Sequence, residues 1–240
     1  MKIIVLSATN YKEKDTIINA ISIDGAVSFK VRGGQVSGSP LNWINNPMII
    51  AEAEYVENVR YIHQILKTAK LIYSPFKDTT LANVCSINLV SEAVMRMLPE
   101  DERHIAFNLI EEYFLAAEKL KDPSVAELVF LAKMIKLTGS EPEVEQCVFC
   151  GSRSDIVAFS FLEGGFICRN CLSKETQVEL TPSQMKWVRY LFKVENFNEV
   201  PDGNVLNDDD RTALFSKFHE FIYEGIGIGL ESIPFLLQNK

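Results

Sequence analysis

Two C-x2-C pairs constrain this chain more than any other feature of its sequence. Cys147 and Cys150 form the first pair, Cys168 and Cys171 form the second, and seventeen residues separate the two. This separation lies within the range at which two such pairs share one tetrahedral ion. Thiolate ligands favour zinc or iron over hard cations. Because four protein ligands leave no position for water or substrate, the pattern predicts a structural zinc site and not a catalytic one.

Two disulfides or four unrelated thiols are the alternatives to a metal. Disulfides require an oxidising compartment. The apolar run at residues 3–6 is too short for a signal peptide, and no apolar stretch is long enough to span a membrane. We therefore expect a cytoplasmic protein, in which disulfides are rare. The fifth cysteine, Cys85, lies in an apolar helical pattern and is expected to be a buried packing residue.

Composition and charge limit the function classes. Almost half of the 240 residues are hydrophobic, which suits two folded domains, and the formal net charge is -8. A loaded zinc-thiolate site would add further negative charge, and this global balance repels nucleic acid. Residues 1–78 differ, with nine Lys and Arg against seven Asp and Glu. That third of the chain either faces a polyanion or simply has a solvated, lysine-rich surface.

The N-terminal third has the pattern of a small closed barrel. Short β-type runs are predicted at residues 3–8, 16–23, 26–31, 48–55 and 60–73, and the last of these also fits a helix. In the second run, Ile17, Ile21 and Ile23 are expected on one face. Asp24-Gly25 between the second and third runs is a strong hairpin signal. Five short strands favour a barrel over a sandwich, and we assign this domain to residues 1–77.

A helical period replaces the strand pattern from residue 79 onward. Helices are predicted at about 79–98, 102–119, 123–138, 183–194 and 207–222, and the zinc module interrupts them at about 145–175. We therefore expect a second, helical domain at residues 78–240 in which the metal holds an excursion that is too small to have its own core. The predicted fold class is α+β, multidomain.

Particular motifs resemble the RecO family of bacterial DNA repair and recombination mediators. Two motifs lie around the cysteines: Gly139 precedes the first Cys pair at 147–151, and a Phe-Ser-Phe run at 159–161 precedes the Gly-Gly-Phe-Ile-Cys segment at 164–168. Two more lie near the ends of the chain: the segment at 229–236, and the basic stretch at 30–33 that follows Asp24-Gly25. The resemblance extends over essentially the whole chain. At residues 33–39 this chain carries no charge, where family members often have a run of Arg and Lys.

The resemblance implies a five-stranded oligonucleotide-binding (OB-type) barrel, a helical domain and a four-cysteine zinc module. It also implies a protein without catalytic chemistry that binds single- and double-stranded DNA and anneals complementary strands. The implied protein partners are RecR and the single-strand binding protein, with which family members load the recombinase. The implied location is the bacterial cytoplasm, in association with the nucleoid.

A barrel that binds single strands needs cations for phosphates and flat side chains for bases. The candidate cations are Lys30 and Arg32 on one face of the third strand, Lys12 and Lys14 in the loop after the first, and Lys67 and Lys70 on the fifth. Four aromatic side chains could stack on bases, although a role in the core is favoured for each: Tyr11, Phe29, Trp43 and Tyr55. Arg153, Arg169 and Lys174 flank the zinc ligands and either extend the cationic track or are simply solvated.

Signals of catalysis are poor. The three histidines, His63, His104 and His219, have no metal-ligand spacing to one another, and neither a phosphate-binding loop nor a nucleophile elbow is present in the sequence. Three hypotheses follow: a DNA-binding recombination mediator, a protein-interaction adaptor whose acidic helical domain docks partners, and an enzyme with an unrecognised pocket between helices.

Overall fold

A computed structural model describes residues 1–57, 63–75, 80–173, 180–202 and 205–239. Its contacts divide the chain into two compact units, Met1–Glu111 and Glu112–Lys240. The predicted boundary between residues 77 and 78 lies outside the described residues and stays a prediction.

Five strands in the first unit form a closed barrel, as predicted. The strands are β1 (Lys2–Tyr11), β2 (Asp15–Ser22), β3 (Gly25–Val31), β4 (Ile50–Val56) and β5 (Gln64–Tyr73). Their order around the barrel is β1-β2-β3-β5-β4, and β4 closes onto β1. All pairs are antiparallel except β3 with β5. The helical alternative for residues 64–73 is wrong, because this segment pairs with β4 along its length.

The Asp24-Gly25 hairpin is confirmed. Ser22 pairs with Gly25 across the turn, and Gly25 has a φ of 150°. Glycine meets that requirement without the strain that a Cβ would bring.

The structure corrects the prediction of which β2 residues share a face. Ile18 and Ala20 face the interior of the barrel. The residues that were predicted to share one face differ in exposure, because Ile17 and Ile21 are buried outside the barrel and Ile23 is exposed. A 3-10 helix, Arg103–Ala106, packs against β2 and β3. Burial on both faces explains why the alternation of this strand is imperfect.

The barrel core is apolar and continuous. It consists of Ile3, Val5, Ile18, Ala20, Phe29, Val31, Ile44, Ile49, Ala51, Ala53 and Leu66. A short 3-10 helix, Asn42–Asn45, supplies Ile44 to this core.

The first predicted helix is observed as α1 (Leu81–Met97), which begins after Thr80. The Thr80 side chain accepts a hydrogen bond from the Asn83 amide and so caps the helix. The second predicted helix is split into the 3-10 helix Arg103–Ala106 and α2 (Phe107–Ala117).

Helices surround an almost wholly buried helix in the second unit. This central helix is α3 (Ser124–Leu137), and the others are α4 (Pro182–Lys193), α5 (Asp208–Glu220) and α6 (Ser232–Asn239), the last of which was not predicted. A π-helical turn, Phe221–Gly225, follows α5. The excursion between α3 and α4 carries a two-stranded hairpin of β6 (Ile156–Ser160) and β7 (Gly165–Cys168).

Candidate metal centre and nucleic-acid surface

The first pair of thiols sits on a tight turn. The Cys147 amide donates to the Ser152 carbonyl at 2.8 Å, and the Gly151 amide donates to the Cys147 carbonyl at 2.9 Å. Gly151 has a φ of 72°, a left-handed conformation that favours glycine. The turn therefore depends on the glycine that directly follows the first pair.

The hairpin brings the second pair to the first. Cys168 is the last residue of β7, and the Cys171 amide donates to its carbonyl at 3.0 Å. The Val148 amide donates to the Phe166 carbonyl at 2.9 Å, which ties the first turn directly to β7. These backbone bonds hold the turn of the first pair beside the strand that carries Cys168.

The four sulfur atoms form a metal-sized cluster. All four Sγ atoms lie within 4.8 Å of one another, and Cys150 Sγ lies 3.6 Å from Cys168 Sγ. A tetrahedral zinc with sulfur ligands at about 2.3 Å requires sulfur pairs at roughly 3.8 Å, so the spacing fits this ion. A disulfide would need about 2.05 Å, and none of the five cysteines is in one. The predicted clustering of the four cysteines is confirmed, and their role as metal ligands stays a prediction.

The thiols influence one another's ionisation. Burial opposes ionisation of Cys147, but the amides of Cys168, Cys150 and Phe149 outweigh it and lower the pKa of this thiol to about 6. Hydrogen bonding to Cys150, with burial, raises the pKa of Cys171 to about 12. Ionisation of Cys147 is therefore favoured, whereas ionisation of Cys171 is disfavoured. A dication between the sulfurs would stabilise all four thiolates at once.

Aromatic packing attaches the module to the helices of its unit. The Phe161 ring stacks on Phe221 with centroids 4.2 Å apart and meets Phe218 edge-on at 5.5 Å. Glu145 adds ion pairs to Arg189 at 2.7 Å and Lys193 at 3.1 Å, both on α4. The sequence singles out Phe161 only as part of a motif and carries no signal for Glu145. No local spacing links either residue to its distant partners.

The barrel cations that the sequence singled out first lie at one end of β3. Lys30 Nζ contacts Asp15 Oδ2 at 2.9 Å and lies 5.1 Å from the centre of the Tyr11 ring. Arg32 follows β3, is exposed, and lies close enough to Asp15 to lower its pKa. Lys12 Nζ lies 5.4 Å from the same ring centre. The structure thus gathers Lys12 and Lys30 at Tyr11, and Lys30 and Arg32 at Asp15, a pairing of Asp15 with Lys30 that the sequence did not indicate.

The other three candidate lysines are exposed but more dispersed. Lys14 lies in the β1–β2 turn with Lys12. Lys67 falls at a bulge of β5, where the register with β4 shifts, and Lys70 pairs across the sheet with Glu52. The barrel fold therefore brings Lys14 to the Lys30 end, whereas an acidic neighbour faces Lys70.

The aromatic candidates separate by exposure. Phe29 is fully buried in the barrel core, Tyr55 packs edge-on against it, and Trp43 packs on the same core. Tyr11 is 38% exposed. Of these four rings, Tyr11 is the most exposed, and Lys12 and Lys30 lie over it.

The cations beside the zinc ligands differ in their partners. Arg169 pairs with Asp155 at 3.1 Å, and Arg153 is exposed. Lys174 lies outside the described residues.

The histidines are engaged in local contacts or lie in a helix. His63 Nδ1 lies 2.8 Å from Ser28 Oγ, and His104 Nδ1 lies 3.0 Å from the Asp101 carbonyl. His219 is half-buried in α5. Among the described residues, the four cysteines are the one group of His, Cys, Asp or Glu side chains that is close enough to hold a metal.

Within the described parts of the chain, no helix combines the length and apolar character needed to cross a bilayer.

Comparison with known proteins gives a consistent result over the whole chain. Residues 79–209 match the family model described as "Recombination protein O C terminal". Proteins named "DNA repair protein RecO" align with 98% of the chain. The protein of Halalkalibacterium halodurans is 24% identical to this chain, that of Bacillus pumilus is 23% identical, and that of Bacillus cereus is 26% identical. The alignments cover 92%, 92% and 95% of the lengths of these three relatives, respectively.

Proposed function

Because this chain belongs to the RecO family of DNA repair and recombination proteins, we propose that it is a recombination mediator that binds and anneals DNA strands. In this role it binds single- and double-stranded DNA and, together with RecR and the single-strand binding protein, helps load the recombinase. It acts without covalent catalysis, in the bacterial cytoplasm at the nucleoid. The observation that carries the proposal is the alignment with RecO proteins over 98% of the chain.

The barrel supports the DNA-binding part of the proposal. Five-stranded OB barrels bind oligonucleotides on the face of strands 2 and 3 and on the loop between strands 1 and 2. In this chain Lys30 lies near the end of β3, the loop between strands 1 and 2 carries Lys12 and Lys14, and Arg32 follows β3 directly. Lys67 and Lys70 on the neighbouring β5 extend the proposed track. Tyr11 adds an exposed ring on which a base can stack.

The zinc module supports a structural role for the metal. Its four ligands leave no coordination site open, and Phe161 packs on the aromatic side chains of the helical unit. Zinc would hold the excursion between α3 and α4 in one conformation. We assign it no chemistry on DNA.

Charge indicates how strong DNA binding should be. The chain carries a net charge of -8, although residues 1–78 are slightly basic. A few phosphate contacts on an acidic protein give weak binding that falls steeply with salt and depends little on sequence. Partner proteins would then supply the remaining affinity.

A paired charge reversal tests the proposal. Changing Lys30→Glu together with Arg32→Glu should abolish binding of labelled single-stranded DNA at low salt and reduce strand annealing, because two phosphate contacts become repulsive. The matched control is Lys119→Glu with Lys121→Glu, which reverses two exposed charges outside the barrel. Fluorescence anisotropy measures binding, and a fluorescence-quenching assay measures annealing. Equal binding by the two double variants would contradict the assignment of the barrel surface.

The second candidate function is a protein-interaction adaptor. It is favoured by the acidity of residues 79–240, which carry 15 Lys and Arg against 25 Asp and Glu. Titration of DNA with and without RecR separates the two candidates. Binding that requires RecR supports the adaptor, whereas binding by this chain alone supports the mediator.

A further inference from the structure

The side chain of Asp15 lies in a cradle that is built for an anion. Its Oδ1 accepts a hydrogen bond from the Gly33 amide at 2.9 Å, and its Oδ2 contacts Lys30 Nζ at 2.9 Å. Both side chains are largely covered, with exposures of 21% for Asp15 and 27% for Lys30. A backbone amide and an ammonium group that converge on one oxyanion are the donors that proteins use to hold phosphate.

The backbone conformation of Gly33 directs its amide toward the Asp15 carboxylate. Gly33 follows β3 with a φ of 66°, which favours glycine. The next residues are tied to the β1–β2 turn, because the Gln35 side chain donates to the carbonyls of Lys12 and Asp15 and the Gln35 amide donates to the Lys14 carbonyl at 3.0 Å. The cradle is therefore held by backbone bonds that do not involve the Asp15 carboxylate.

Further cations surround the cradle. Lys12 and Lys30 both approach the exposed Tyr11 ring, and Arg32 lies within electrostatic reach of Asp15. The Gly33 amide first, and then Lys30, lower the pKa of Asp15, so the carboxylate is charged at neutral pH. An internal negative charge thus sits where the cations of the barrel converge.

We propose that Asp15 occupies a phosphate site of the barrel and competes with the DNA backbone for Lys30 and the Gly33 amide. This inference rests on the proposed function and names the regulation of its DNA surface. The residue sets a limit on affinity: a DNA phosphate enters the cradle only when Lys30 leaves Asp15. Strands then bind weakly and exchange readily, as annealing of two complementary strands requires.

The test compares two variants that each remove one negative charge from the same turn. Asp15→Asn removes the negative charge that holds Lys30 and keeps an oxygen for the Gly33 amide. Glu13→Gln is the matched control, because Glu13 is exposed and no described residue forms an ion pair with it. Binding of a labelled oligothymidylate by the full chain is followed by fluorescence anisotropy across a salt series.

Asp15→Asn should bind about 1.5- to fivefold more tightly than Glu13→Gln at low salt, since releasing Lys30 from a partly exposed ion pair is worth about that factor. Its plot of log affinity against log salt should also be steeper by about 0.7, the increment for one more phosphate contact on a single strand. A role in stability alone would not change this slope. Affinity equal to or weaker than that of Glu13→Gln, or an unchanged slope, would overturn the inference.

Two further measurements address a folding defect in the variant and a failure of the proposed DNA surface. If circular dichroism shows that Asp15→Asn is unfolded, it is replaced by Asp15→Ser, which keeps a hydrogen-bond acceptor for Gly33 in a smaller side chain. Asp15→Ser should then show the same increase in DNA affinity. Lys30→Gln should weaken binding more in the Asp15→Asn background than in the original chain, and equal losses would also overturn the inference. If instead the Lys30→Glu, Arg32→Glu variant binds like the original chain, the proposed DNA surface fails, which is a separate outcome.

Discussion

At the residue scale, the five cysteines show how position decides the role of one side-chain type. Cys147, Cys150, Cys168 and Cys171 have their sulfurs within 4.8 Å of one another, whereas Cys85 is buried in α1 of the other unit. The clustered thiols lie close enough together to hold a metal ion. Cys85 is a buried residue, as its apolar surroundings in the sequence predicted.

Removal of one ligand tests this division. Cys168→Ser should lose the bound zinc and destabilise the helical unit, because three thiolates leave the site open and a structural site contributes directly to folding. Zinc per chain is measured by elemental analysis, and the melting temperature by circular dichroism. Cys85→Ser is the control and should retain one zinc per chain. Full zinc retention by Cys168→Ser would show that the cluster is not the metal site.

At the element scale, the position of the β6–β7 hairpin (hereafter the zinc hairpin) depends on packing against the helices that follow it in the chain. Phe161, next to the end of β6, lies among Phe192, Phe218 and Phe221. Gly225 allows this arrangement, since a Cβ there would lie 2.7 Å from the Phe221 ring. This aromatic cluster supports the hairpin at one end, and the four cysteines that could hold a metal lie at the other.

The aromatic support has a measurable contribution. Phe161→Ala should lower the free energy of unfolding by about 2–3 kcal/mol, because it removes ring contacts and leaves a cavity at a half-buried position. Chemical denaturation of the zinc-loaded protein measures the change. Phe149→Ala is the matched control on the same module: Phe149 is 56% exposed, and its loss should change stability by less than about 0.5 kcal/mol. Equal effects would mean that the aromatic cluster does not anchor the hairpin.

At the scale of the whole molecule, the four-cysteine cluster is expected to make metal binding depend on pH. Protons compete with the ion for thiolates, so zinc affinity should fall as the pH falls. The Cys147 thiol, with its pKa lowered to about 6, is ionised at neutral pH, but Cys171, with a pKa raised to about 12, must release its proton when the metal binds. Affinity should therefore rise continuously between pH 6 and pH 9.

A chelator competition measures this dependence. Zinc transfer to a chromogenic chelator, corrected for the chelator's own protonation, should become more favourable at each step to lower pH, and binding of zinc to the apoprotein should release protons into a weakly buffered solution. The barrel should keep its secondary structure while the metal is removed, because the barrel core contains no cysteine. An affinity that is independent of pH would contradict thiolate ligation.

Much of the architecture could be predicted from the sequence because its signals are local. The C-x2-C spacing, the Asp24-Gly25 turn and the change from strand to helical period each depend on residues close together in the chain. The predictions for the second strand and second helix were wrong in detail for one reason: packing by Arg103–Ala106 buries the outer face of β2 and interrupts the helix that was expected there. Sheet contacts also decided that residues 64–73 form a strand.

The sequence by itself determined the ligand set, the existence of a barrel and the family, since each depends on residue types at set spacings. Only the tertiary structure decided which aromatic ring is exposed, which rings anchor the zinc hairpin, and which acid meets Lys30. Those outcomes depend on pairs such as Asp15 with Gly33 and Phe161 with Phe221, which are far apart in the chain and meet through strand register and helix packing. Charge and hydropathy along a sequence do not encode such distances.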